Sequence, residues 1–269
     1  MSDAYHADHS KLTRTALKCF MDSRSEFKLR YVDRTLPPRK PSRVQVEGIV
    51  MHAIIIEQKS PMDFLQPYPE SCLKSDGSLR GKEAAEFRQE HAGKLCVKFD
   101  ELRRLTELLN AVLRHPLVVP DTMSSDVIRE SEVSRALCGI ECKCKPDLRY
   151  PGQLVDYKFM QYIDPLAFQR SAKAFKYWLQ YAHYTAVTMA DDFVFRCVET
   201  QPPYRVHDYR YDLASRQLAF DAHERLLTDL KACRDSGDWS DVWPGEIEIK
   251  PWELNATDEL VEVGESYEA

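Results

Sequence analysis

The chain has 269 residues, 43% of them hydrophobic and 30% charged, with a formal net charge of −6. That length suits one large domain or two small ones, and the apolar share excludes dominant disorder. Nine glycines without a short period exclude collagen-like and repeat architectures, and the longest apolar run, 49–56, is far short of the roughly 18 to 20 residues that span a bilayer.

In chain order, Leu12, Ala16 and Phe20 share one face and predict a helix over 10–22 capped by Ser10. The start of the chain is polar and does not read as a secretory signal. Three prolines make 35–42 a loop, and Ser42 caps a second helix running to about Glu57. A polar loop covers 59–81, a short helix 82–91, and a short strand 95–99. Asp100 caps a periodic helix with Leu102, Leu105, Leu108, Leu109, Val112 and Leu113 on its face, ended by His115-Pro116. The centre then reads as strands at 127–137, 140–148 and 153–159, separated by Cys138-Gly139 and by Tyr150-Pro151-Gly152. Asp164-Pro165 opens a long helix to about Ala190. Strands at 193–198 and 204–211 and a helix over 213–233 complete an α/β (α+β) plan, a small sheet flanked by helices.

The eight cysteines read as reduced thiols in a cytoplasm. Cys138, Cys142 and Cys144 lie close together, but no C-x-x-C pair accompanies them, so a zinc site is a weak reading. Six of the 43 acids follow Lys250, where there is no Lys or Arg. The rest of the chain is therefore balanced against its 37 bases, and 253–269 is an acidic tail. The first fifty residues lean basic, with ten Lys/Arg against six Asp/Glu. A local basic groove is compatible with the acidic total.

The chemistry concentrates in the central strands. Strand alternation puts Asp156 and Lys158 on one face, and a hairpin brings Asp147 beside them. Two carboxylates and a lysine meeting at one point call for a cation, and oxygen ligands select Mg²⁺ or Mn²⁺. The alternative is an exposed ion pair on an edge strand with Asp147 as a turn residue. Leu154 and Val155 weigh against that, because charges on a partly buried strand are rare unless paired or metal-bound. Glu132 lies on the preceding strand and could face the same site, with Glu130 on the same face as its competitor. Gly48 and His52 stand one helical turn apart, where the small residue would allow close backbone approach. His52 could ligate a metal or be a hydrogen-bonded core histidine. Gln180 and Tyr184 form a second such pair, either contacting phosphate or base or simply packing.

Taken in order, G-x-x-x-H (Gly48, His52), Glu132, P-D (Pro146, Asp147), D-x-K (Asp156, Lys158) and Q-x-x-x-Y (Gln180, Tyr184) resemble the signature of the RecB-like branch of the PD-(D/E)xK nucleases. Within that branch, ECKCKPDL, LVDYKF and LQYAHY resemble the RecE type, and the resemblance runs from about Tyr5 to Leu254. It implies a restriction-endonuclease-like core in a single domain over 1–252, with a helical part to about 125 and the catalytic part after it. Asp147 and Asp156 would be metal carboxylates, the carbonyl of Tyr157 a backbone ligand, His52 and Glu132 further metal-site residues, and Lys158 the catalytic lysine. Gln180 and Tyr184 would position substrate. The related iron–sulfur nucleases place Cys after the Q-x-x-x-Y helix; only Cys197 and Cys233 follow it here, so no cluster is expected. Phe159 and Met160 depart from the Thr usual after the lysine. The implied activity is a Mg²⁺-dependent 5′→3′ exonuclease on double-stranded DNA ends, leaving a 3′ single strand for an annealing protein. A nuclease of single strands or flaps, an endonuclease, and a decayed DNA-binding module are the alternatives. The implied assembly is a homo-oligomeric ring, a tetramer rather than a trimer. Lys11, Arg14, Lys18, Arg39, Lys40, Arg43, Arg170, Lys173 and Lys176 are the candidates for contacting DNA.

Overall fold

The computed structural model describes residue 5, residues 8–37 and residues 43–241, and the side chains of all of these but 43–45. Ser42, the side chains of Arg39, Lys40 and Arg43, and the acidic tail therefore lie outside the described residues.

The N-terminal helix α1 is Arg14–Asp22, shorter than the sequence suggests. Thr13 caps it in place of Ser10, its hydroxyl accepting from the Ala16 N–H at 3.2 Å. The cause is Leu12, whose N–H and carbonyl bond to Glu141 and Lys143, holding the preceding backbone extended. Then come α2 (Arg24–Phe27), α3 (Arg43–Ile55), α4 (Pro61–Phe64) and β1 (Leu65–Pro67). After these come α5 (Gly81–Glu90), β2 (Leu95–Val97), α6 (Phe99–Leu113) and α7 (Val119–Met123). Asp100 lies in the first turn of α6; the cap is Lys98, whose N–H donates to Glu101 at 3.3 Å.

The sequence reads 127–137 as one strand. It is two: β3 (Ile128–Arg129) and β4 (Val133–Leu137), broken at Glu130, which takes a positive φ of 48°. The next stretch divides likewise into β5 (Ile140–Cys144) and β6 (Leu148–Tyr150) before β7 (Gln153–Met160). β4 and β5 form a separate hairpin, closed by Cys138 and Gly139 at φ 50° and 76°, the positive values a type I′ turn requires. β6 and β7 close over Pro151-Gly152, with Gly152 at φ 75°. Then follow α8 (Pro165–Ala174), α9 (Tyr177–Thr188), β8 (Asp192–Glu199), β9 (Val206–Tyr209) and α10 (Leu213–Ser236). The central sheet runs β3-β6-β7-β8-β9, with β7 and β8 parallel and the other pairs antiparallel. It is the small mixed sheet flanked by helices that the composition of elements implied.

Alternation along β7 divides the core. Val155 and Tyr157 pack toward α3 and α6, with Ile54, Ile55, Leu105 and Leu108. Leu154 packs toward α8 and α9, with Phe168, Tyr181, Phe193 and Phe195. The helix expected from Pro165 to Ala190 breaks at Lys176, which is left-handed (φ 54°, ψ 53°). The Arg14 guanidinium donates to the carbonyls of Phe175 and Lys176, satisfying the end of α8 from outside the helix. The break separates α8 from α9, which packs against β4, β5 and β8. No helix among the described residues is long and apolar enough to cross a membrane.

Candidate active site

Asp156 and Lys158 face α9 from β7, and one residue of that helix grips both. Gln180 donates to Asp156 Oδ1 at 2.5 Å and accepts from Lys158 Nζ at 2.9 Å. Lys158 Nζ stands 2.5 Å from Asp156 Oδ2 and 4.9 Å from the centre of the Tyr177 ring. Asp147 precedes β6, and the hairpin register sets it beside Asp156; its Oδ2 accepts from the Tyr157 N–H at 2.7 Å. From α3, His52 Nε2 reaches Asp147 at 3.0 Å and Glu130 at 3.1 Å. His52, Glu130 and Asp147 each offer a ligand atom, all within 4.8 Å of one another.

Glu132 is not brought to this cluster. The left-handed turn at Glu130 ends β3, and the Glu130 N–H bonds the Asp147 carbonyl at 3.1 Å, fixing its side chain over the site. Glu132 leaves with the β4–β5 hairpin and pairs with Lys11 at 3.5 Å, near the surface. The competitor named from the sequence is the acid at the site. Gly48 is not the close-approach point the sequence suggests: a Cβ there would meet no atom within 4 Å among the described residues. Tyr184 lies one turn beyond Gln180 and packs partly buried among Leu179, Phe193 and Val187; burial and the nearby Asp156 hold its phenol well above its ordinary pKa.

The electrostatics are costly for a merely structural cluster. Burial pushes Asp156 up to about 6, with Asp147 adding to the rise and Lys158 opposing it. Asp147 is held low: burial would raise it, but the His52 and Lys158 charges and the Tyr157 N–H prevail. His52 is raised to about 10, because Asp147 and Glu130 outweigh its burial. Taking each such charge out of water costs several kcal/mol, and apolar residues of similar volume would commonly be as stable. The arrangement therefore points to chemistry. Two carboxylates and an imidazole make a donor set that could hold a divalent metal ion. Asp156 Oδ2 is buried, with the Lys158 ammonium 2.5 Å away and no other partner among the described residues.

Sequence reasoning missed several neighbours. Lys145 pairs with the other oxygen of Glu130; its alternation with Lys143 before Pro146-Asp147 was the available signal. Glu57 lies 3.8 Å from His52 Nδ1 and is itself paired with Lys59 at 2.6 Å. Behind β7, the Tyr157 hydroxyl donates to Asp121 at 2.5 Å, Tyr150 donates to its other oxygen at 2.6 Å, and Arg196 bridges Asp121 to Asp208. Nothing in the local sequence marks Asp121. Of the basic candidates, Lys11 and Lys18 are engaged by Glu132 and Asp22. Arg170 and Lys173 are exposed on α8, Lys176 is half-buried, and none of these three has an ion-pair partner among the described residues.

Residues 14–249 match the model of a family described as a PDDEXK-like domain of unknown function (DUF3799). None of the curated proteins matches the chain in sequence. Among solved structures, a protein from Eubacterium rectale, provisionally named an exonuclease, superposes with a TM-score of 0.61 at 15% identity, over 95% of this chain and 98% of its own. A second, SSO0001, gives a TM-score of 0.30 at 12% identity, over 71% of this chain and 88% of its own, too slight a likeness to argue from.

Proposed function

The chain belongs to the PDDEXK-like family DUF3799, within the PD-(D/E)xK nuclease superfamily, and on that premise we propose that it is a Mg²⁺-dependent DNA exonuclease of the RecE type. The observation that carries the reading is the convergence of His52, Glu130 and Asp147 beside the Asp156–Lys158–Gln180 triad. Asp147, Asp156, Glu130 and His52, with the Tyr157 carbonyl, would hold the ion, Mn²⁺ substituting for Mg²⁺. A divalent ion there supplies charge to the phosphate and lowers the pKa of water.

The chain's own groups do the rest. Gln180 fixes the rotamers of Asp156 and Lys158 at once, so the lysine is aimed before substrate arrives. Its ε-amino group is placed to hydrogen-bond the attacking water or a phosphate oxygen as charge develops. Tyr157, anchored behind the sheet by Asp121, keeps the backbone of β7 from shifting. The substrate we propose is linear double-stranded DNA, degraded 5′→3′ by a homo-oligomeric ring, with the remaining 3′ strand passed to an annealing protein during phage-type recombination.

Incubation with Mg²⁺ and strand-labelled linear or covalently closed circular duplex tests this. Linear DNA alone should be degraded, with label lost first from 5′ ends. Cutting of circles would replace the exonuclease by an endonuclease, and intact DNA with every divalent metal would reject the nuclease.

A further inference from the structure

The break between α8 and α9 carries more unused chemistry than the helices need. Arg14 spends Nη2 on the carbonyls of Phe175 and Lys176, but its Nε–H is buried and has no partner among the described residues. A buried guanidinium donor left unpaired is costly, and an oxygen acceptor would relieve it. The two carbonyl partners of Arg14 immediately precede Tyr177, and the Tyr177 ring lies under Lys158, so the guanidinium adjoins the catalytic lysine's surroundings. Beside it, Phe175 presents its ring to solvent, 52% exposed, at a position where a helix would ordinarily carry a polar residue. That ring is nearly parallel to Tyr177, 6.1 Å away and 19° off, and Tyr177 in turn lies under Lys158. The exposed ring is thus the outer end of a line of groups leading to the catalytic lysine. Arg170 and Lys173 on α8 and Lys176 at the break have no ion-pair partners among the described residues.

We propose that this break is a nucleic-acid contact: Arg14 takes a phosphate oxygen of the substrate strand, and Phe175 stacks on the adjoining unpaired base. The proposal rests on the nuclease reading and deepens it, because a base can reach Phe175 only from a strand already frayed from its duplex. Stacking on an exposed ring tolerates any base, while a half-buried arginine already held by two carbonyls fixes where the backbone lies.

The test is fluorescence anisotropy of a labelled single-stranded oligonucleotide across a salt series, with Ca²⁺ replacing Mg²⁺, alongside cleavage kinetics and melting temperature. Phe175→Ala should weaken binding about tenfold at an unchanged melting temperature, and Phe175→Trp should restore it. Arg14→Gln should lower the salt slope by about 0.7, the value for one phosphate on a single strand. Arg14→Lys, which keeps the charge if the Gln variant fails to fold, should keep the slope but raise KM severalfold more than it lowers kcat. If Phe175→Ala or Arg14→Lys binds and cuts like the wild type, the contact is wrong and the nuclease stands. If the wild type cuts no DNA with any divalent metal, the nuclease reading itself falls.

Discussion

Glu130 and Glu132 are two residues apart, and a continuous strand would have aimed both at the metal site. The left-handed turn at Glu130 separates them, leaving one against His52 and Asp147 and the other against Lys11 at the surface. Glu130→Gln should therefore lower the cleavage rate by more than tenfold, and Glu132→Gln should leave it within about twofold; initial rates on one linear duplex decide, and the opposite ranking would restore Glu132 to the site. The pair also shows what the sequence could and could not carry at this scale. Asp147, Asp156 and Lys158 were legible because strand alternation and a Pro-Gly turn leave little choice of register. The kink was not, because glutamate is rarely left-handed and no glycine or asparagine marks the position. Lys145 and Glu57 were missed because their importance lies in which site residue each touches, a tertiary fact.

At the scale of elements, α9 does the positioning, and two buried histidines hold it. His183 on α9 pairs its Nδ1 with His223 Nε2 of α10 at 3.1 Å, and its Nε2 with the Lys143 carbonyl of β5 at 3.1 Å. Burial lowers His183 to about 4 and His223 to about 3, below the ordinary 6.5 or so of an unfolded histidine. Stability from the pair is thus fully present above about pH 6.5 and is lost as pH falls toward those values, because the unfolded chain takes up two protons that the folded one refuses. Asp156, raised to about 6, opposes this by gaining one proton in the folded state first. The two histidines outweigh the single carboxyl, so stability should fall as the pH drops from about 6 to about 4.5. Urea denaturation at several pH values checks this; a flat or rising profile would mean that the pair titrates normally. Periodicity made α6 and α10 legible in outline. It missed the break at Lys176 because Arg14, more than 160 residues away, satisfies the carbonyls that end α8, and it placed the α1 cap too early because Leu12 is claimed by β5.

For the whole molecule, charge and exposed apolar groups set the expectations. α10 carries Leu213 and Leu218 in solvent, 84% and 66% exposed, apolar groups that a head-to-tail interface could cover. Light scattering at micromolar protein should give a closed oligomer, a tetramer by preference, that Leu213→Glu/Leu218→Glu reduces to monomer without a change in fold. A wild-type monomer with and without DNA would remove the ring and leave a distributive nuclease. What made the plan of the molecule readable was the order of short motifs, each weak alone, from which hairpin and helices bring His52, Asp147, Asp156, Lys158 and Gln180 together. The central claim is that this arrangement is a metal-dependent catalytic centre built on Asp156 and Lys158. Its most direct test is Mg²⁺-dependent digestion of a linear duplex by the wild type, Asp156→Ala and Lys158→Ala, with circular dichroism of each and Mn²⁺ binding by calorimetry. Both variants should stay folded and lose cleavage, Asp156→Ala binding Mn²⁺ more weakly and Lys158→Ala binding it nearly as the wild type does; digestion at near-wild-type rates by either variant would contradict it.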